Sequence, residues 1–293
     1  MSRVSPKVLA LLGTLNLMWG TNWPLFRIAL AELPVFTFRT LVLLAGATVL
    51  TVILLVRRER FAVPRDKWPA LLLASTMNIG IWNIATSLAV LYIPSGHASV
   101  LAYTMPLWVA LLGFVVFGQR LTPRLLAAIM IGAAAVVALM APNFRDYAQA
   151  PWGLFWGLLA GFCWAVGTFI VKRTAWPGMG LSLTFWQVAI CLPPIALGAL
   201  LIEGLPDHWP SAKALTATIY TGAIPMALGT ATWFALVKLL PAQVAALSSI
   251  AIPIVAIVSG ILILNEPLSA LQAVAIASTV ISLWLALVPG RRG

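Results

Sequence analysis

The chain of 293 residues is 62% hydrophobic and only 9% charged, whereas soluble domains carry about 25% charged residues. With a mean hydropathy of +1.02 and just seven acids, it has too little polar surface to cover a soluble globule, which excludes a soluble enzyme and makes the bilayer the expected solvent. The formal charge of +11 does not point to nucleic acid, because the basic residues stand at the ends of apolar runs and not in one patch with interleaved aromatics.

Apolar stretches bounded by charge, Pro or Gly predict an all-α polytopic membrane protein. Its ten transmembrane helices fall near 7–31, 34–56, 68–91, 95–117, 124–141, 152–173, 180–203, 213–238, 242–264 and 268–288. Arg3 and Lys7 ahead of an apolar run that reaches Ala29-Leu30-Ala31 resemble a cleavable signal. Asn22, Trp23, Pro24 and Arg27 stand where such a signal is bland, so the segment is expected to be kept as the first helix. Cys163 and Cys191 lie within apolar stretches without metal-ligand spacing and read as small core residues.

Alternate connections separate the basic residues sharply. One side collects fourteen: Arg3 and Lys7, the five between Arg57 and Lys67, Arg120 and Arg124, Lys172 and Arg173, Lys238, Arg291 and Arg292. The other side holds only Arg145 and Lys213, and Arg27 and Arg39 fall within spans. The positive-inside rule then makes the richer side cytoplasmic, with both termini inside and a multi-pass location in a bacterial-type inner membrane.

The halves also match each other. Leu91-Tyr92-Ile93-Pro94 corresponds to Lys238-Leu239-Leu240-Pro241, and Pro106 to Pro253, at an offset of 147; Trp19 corresponds to Trp164 and Arg27 to Lys172 at 145. Two five-helix units, 1–146 and 147–293, are the economical reading. Because five is odd, the second must be inverted relative to the first, as in secondary transporters that work by alternating access.

Trp19-Gly20-Thr21-Asn22 early in the first half, and Leu264-Asn265-Glu266-Pro267-Leu268-Ser269 with Gln272 late in the second, resemble the EamA repeat of the drug/metabolite transporter (DMT) superfamily. In overall pattern the chain is most similar to the YddG-type exporters of aromatic and other neutral amino acids. Gln119 stands where the repeat usually has Glu, and Ala128 and Ala275 where Gly is common. The resemblance implies a ten-helix basket around a central cavity formed by helices 1, 3, 4, 6, 8 and 9, and it implies outward amino-acid transport.

Polar and aromatic residues recur at helical spacing on the expected cavity helices. They are Trp19 and Asn22; Asn78 and Trp82; Asn83 and Ser87; Ser99 and Tyr103; Trp164 and Thr168; Thr230 and Trp233; Ser248 and Ser249. Pro106 and Pro253 each remove a helical hydrogen bond and free a carbonyl four residues earlier, which suits either a packing kink or a substrate hinge. Small polar side chains also serve as interhelical glue. Trp68, Trp152, Trp176, Trp209 and Trp284 near span ends read as interfacial anchors, and His97 as an interfacial or proton-linked histidine.

No Asp or Glu falls near the middle of a span, which disfavours proton antiport centred on a membrane carboxylate. Arg27 and Arg39 could be neutralised by Glu32 or Glu203, could snorkel, or could gate an anion. An anionic cargo would have to rely on Lys172 and Lys238. A net-neutral zwitterion suits an Asn/Ser/Thr-lined aromatic cavity better. Neither a P-loop nor a catalytic constellation is visible, so the expectation is a non-enzymatic secondary transporter of neutral amino acids. It needs no cofactor, metal or nucleic acid, and its only partners are substrate and lipid, with a monomer as the working unit.

Overall fold

The computed structural model describes residues 6–116, 118, 123–140, 150–204, 208–240, 249–265, 274 and 277. Among them six helices are long and apolar enough to cross a membrane: Val35–Val56, Arg65–Tyr92, Ser95–Val115, Pro151–Arg173, Leu181–Glu203 and Ala212–Leu239. Each agrees within three residues with a span expected from sequence. The expected span 268–288 lies outside the described residues apart from 274 and 277. Side chains such as Leu44, Val52, Phe114, Leu200 and Leu262 are at least half exposed, an apolar surface that requires lipid as its solvent.

The first expected helix is two helices, α1 (Pro6–Gly20) and α2 (Asn22–Leu30). Pro24 cannot donate to the Gly20 carbonyl; the Ser259 hydroxyl, shared with the Ala256 oxygen at 3.0 Å, reaches the Gly20 oxygen at 3.4 Å. The break is thus sealed from α13 (Ile252–Leu264), in keeping with the demand that backbone groups in lipid be satisfied internally.

Between these lie α3 (Val35–Val56), α4 (Trp68–Ser75), α5 (Trp82–Tyr92), α6 (Ser95–Ala102), α7 (Met105–Val115) and α8 (Pro123–Met140). They are followed by α9 (Pro151–Arg173), α10 (Leu181–Gly198), α11 (Ala212–Thr221) and α12 (Thr230–Leu239). The prolines interrupt the chain where expected. Pro106 opens α7 after a break at Tyr103 and Thr104, and Pro253 opens α13 after the 3₁₀ turn Ser249–Ala251. Two π-helical segments, Thr76–Ile81 between α4 and α5 and Gly222–Gly229 between α11 and α12, also occupy matching positions in the two halves.

α9 packs against α4, α5, α6 and α7. Its glycines permit the approach: a Cβ on Gly157 would lie 2.6 Å from the Leu101 Cβ, and one on Gly161 2.9 Å from the Ala102 oxygen. With Gly153 they form a small-residue stripe of period four, a device for close helix crossing in membranes.

Loop contacts sort the two ends of the bundle. At one end Glu59 accepts from Leu181 N, Trp186 Nε1 donates to the Phe61 oxygen, and Lys238 Nζ donates to the Met179 oxygen. These bonds gather the basic segments 57–67, 172–173 and 238. At the other end Glu32 accepts from the backbone and hydroxyl of Ser211, and Glu203 caps α3 by accepting from Phe36 N and from both donors of Thr37.

Candidate functional site

Several helices converge on a narrow cavity of about 30 Å³ between buried side chains. From α1, α2 and α3 it takes Trp19, Asn22, Trp23, Phe26 and Arg39; from α5, Trp82 and Asn83; from the break after α6, Tyr103; from α9, Trp164. The end of α11, the π segment and α12 add Thr221, Pro225, Met226 and Thr230. A larger, more open crevice of about 540 Å³ lies elsewhere, but its walls are mainly apolar, including Ile81, Ile84, Trp156 and Ile190. Converging polar groups distinguish a binding site from such a crevice, so the buried cavity is the candidate.

One continuous series of ring contacts forms its wall. Trp164 meets Trp19 edge-on at 5.3 Å and Trp82 at 4.7 Å; Tyr103 lies 6.0 Å from both Trp82 and Trp23; Trp23 lies 5.5 Å from Phe26. Trp233 backs the series, 5.6 Å from Trp19 and 6.1 Å from Trp164. Edge-to-face and tilted pairs at these separations are the attractive arrangements for aromatic quadrupoles. The Trp19 indole N–H donates to the Pro225 oxygen at 3.0 Å. Gly229 makes room for that ring, since a Cβ there would lie 2.5 Å from Trp19 Nε1.

The series ends on a charge. The Arg39 guanidinium carbon lies 4.0 Å over the Phe26 ring and 4.8 Å from the Phe38 ring centre. Its Nε donates to Ser87 Oγ at 2.6 Å, its Nη1 to Asn83 Oδ1 at 2.9 Å and its Nη2 to Thr86 Oγ1 at 3.0 Å. These acceptors stand at spacings of three and four on one face of α5. Neither carboxylate expected to neutralise it does so, because Glu32 and Glu203 cap helix starts at the end of the bundle. Nor does Arg39 snorkel, being 1% exposed.

Other polar atoms of the wall lack partners. Asn22 Oδ1, Trp164 Nε1 and Thr221 Oγ1 are buried without a hydrogen bond among the described residues. Buried polar groups are normally satisfied, and three unsatisfied ones around one cavity mark it as a place where a polar guest completes the bonding.

The structure brings Trp19, Asn22, Trp82, Asn83, Tyr103, Trp164 and Thr230 together around the cavity. Trp233 supports them from behind, and Ser87 faces Arg39. It does not bring in Asn78, whose Nδ2 donates to Gln187 Oε1 at 3.1 Å between α10 and the π segment, nor Ser99, which donates to the Gly96 oxygen. Thr168 and Ser249 are buried but outside the cavity wall. Ser248 lies outside the described residues. His97 is buried in the first turn of α6.

Lys172 and Lys238, the alternative anion ligands, are spent on backbone. Lys172 Nζ donates to the Val237 and Leu240 oxygens at 2.6 and 2.9 Å, and Lys238 binds Met179. Of the expected anchors, Trp209 is 93% exposed and Trp152 is also exposed. Trp176 donates to the Val171 oxygen, Trp68 meets Trp186 edge-on, and Trp284 lies outside the described residues.

Sequence reasoning missed Trp23, Phe26, Thr221, Pro225 and Met226 as wall residues. Pro225 carried a usable signal, a proline inside an apolar span, although it has no proline partner in the first half.

Comparison with known proteins gives the same architecture. The chain is 28% identical over 265 residues to the "Uncharacterized transporter YvbV" of Bacillus subtilis, covering 88% of this chain and 84% of that one. It is 27% identical over 268 residues to a "Probable amino-acid metabolite efflux pump" of Salmonella typhimurium, covering 87% and 86%. A solved crystal structure at 23% identity superposes with a TM-score of 0.75 over 96% of both chains. Residues 7–141 and again 151–288 match the EamA-like transporter family; the chain therefore belongs to that family of the DMT superfamily and is a multi-pass membrane transporter, not an enzyme.

Proposed function

We propose that the chain exports neutral amino acids, including aromatic ones, across the inner membrane by alternating access around the buried cavity. The observation that carries this reading is the wall itself: a run of indole and phenol rings next to unsatisfied Asn22 Oδ1, Trp164 Nε1 and Thr221 Oγ1. Rings accept an apolar side chain, and amide, hydroxyl and indole groups accept the polar end of a zwitterion. The efflux relative from Salmonella typhimurium supports the substrate class.

Two inverted five-helix repeats supply the mechanism. The double family match, the helix breaks before Pro106 and Pro253, and the π segments at corresponding places all support two equivalent units, and interruptions of this kind border transport sites. The basic segments collected at one end of the bundle support a cytoplasmic placement of that end and of both termini. The occupied state of Lys172 and Lys238 argues against an exchanger of phosphorylated metabolites.

The test is counterflow in proteoliposomes loaded with labelled phenylalanine, leucine, lysine or glutamate, with and without a pH gradient. Saturable phenylalanine and leucine flux is expected, with lysine and glutamate far slower. Absence of saturable neutral amino-acid flux rejects the substrate class.

A further inference from the structure

Among the described residues the guanidinium in the cavity wall has no counter-charge. Of the five N–H donors of an arginine, the contacts to Ser87, Asn83 and Thr86 use three, leaving one on each terminal nitrogen. The acids among the described residues are committed elsewhere: Glu32 to Ser211, Glu59 to Leu181, Asp66 to Lys67 and Glu203 to the start of α3. A buried cation held only by neutral groups is costly, and Phe26 and Phe38 offset that cost only through their ring faces. The site is therefore built to hold the charge in position without neutralising it.

We infer that Arg39 docks the carboxylate of the transported molecule, so that the cavity selects small solutes carrying one carboxylate and an apolar body. This rests on the transport reading above and names the group that the site recognises. The two remaining terminal N–H groups match the two oxygens of a carboxylate, the bidentate geometry in which arginine binds most strongly. Asn22 Oδ1 and Thr221 Oγ1 are then acceptors for an ammonium group, which gives the wall the polarity of an amino acid. Asn83, Thr86 and Ser87 act as positioning residues that fix the plane of the fork.

The experiment measures quenching of tryptophan fluorescence in the purified full chain in nanodiscs by four probes: L-phenylalanine, 3-phenylpropionate, phenethylamine and L-phenylalaninamide. The first two carry a carboxylate and the last two do not. The wild type is expected to bind L-phenylalanine at least about tenfold more tightly than phenethylamine or the amide, the scale of a charge-assisted hydrogen bond. Arg39→Gln is expected to bring that ratio within about twofold of unity by the same reasoning. Asn83→Asp, which supplies a built-in counter-charge, is expected to weaken both carboxylates and spare the amines.

Equal affinity for probes with and without a carboxylate in the wild type overturns the inference, as does failure of all four to bind. A carboxylate preference that survives in folded Arg39→Gln or Asn83→Asp protein overturns it too. Carboxylate-selective binding without amino-acid counterflow leaves Arg39 in its role and removes the export reading. Amino-acid counterflow inhibited equally by phenethylamine does the reverse.

Discussion

The Trp19 indole N–H and the Pro225 carbonyl oxygen, 206 positions apart in sequence, meet at 3.0 Å in the cavity wall. The bond ties the end of α1 to the π-helical segment Gly222–Gly229 and fixes the tryptophan that touches both Trp164 and Trp233. Trp19→Phe keeps a ring but removes the indole donor, leaving the Pro225 oxygen with the Thr230 backbone N–H. The expected cost is about 0.5–1.5 kcal/mol, read as a lower melting midpoint in detergent and a higher half-saturation for phenylalanine counterflow.

Trp164 and Trp68 separate a cavity role from an anchoring one. Trp164 contacts three other tryptophans around the cavity, whereas Trp68 pairs with Trp186 near the basic end. Trp164→Ala is expected to lower counterflow by roughly tenfold or more at unchanged abundance, consistent with the weight of buried aromatic contacts. Trp68→Ala is expected to reduce abundance in the membrane more than turnover per molecule. Quantitative blotting beside transport assays separates the two.

Gly157 and Gly13 give a matched pair for packing. Gly157 faces Leu101 with no room for a methyl group, and Gly13 has nothing within 4 Å of the position a Cβ would take. Gly157→Ala is expected to destabilise by about 1–3 kcal/mol through overpacking. Gly13→Ala is expected to be neutral or slightly stabilising, since alanine is the better helix former. Thermal melting of both variants in the same detergent checks the contrast.

Glu32 gives a pH dependence outside the membrane. The Ser211 hydroxyl and then the Ser211 backbone N–H hold its carboxyl below the usual carboxylate range. A folded-state pKa depressed in this way contributes stability above the unfolded value and loses it as pH falls through the folded value. Titration by NMR is expected to find Glu32 ionised at a pH where free glutamate is half protonated. Ser211→Ala is expected to move its midpoint back up.

The long spans were legible because each is an apolar run of membrane-crossing length closed by charge or proline, and Pro106 and Pro253 fell at breaks for a reason visible in their chemistry. Trp19, Asn22, Trp82 and Trp164 were legible as wall residues from their depth within spans. The environment of Arg39 was not, since carboxylates in the neighbouring loops looked like its natural partners. Its true acceptors carried a signal in the spacing of Asn83, Thr86 and Ser87 along one helical face. Asn78 and Ser99 shared helices with wall residues, but helical spacing alone does not say which face meets the cavity. The π segments left no mark in hydropathy, since one extra residue in a turn changes direction and not composition.

That extra residue has a geometric consequence for Trp82 and Asn83, which follow directly after Thr76–Ile81. Successive residues of an α-helix are about 100° apart in azimuth. Deleting one residue from the widened turn would therefore swing both side chains roughly a quarter of the way around the helix axis. The aim of the indole and the amide is set by one extra residue within the six of Thr76–Ile81, upstream of either side chain, and not by the side chains' own identity.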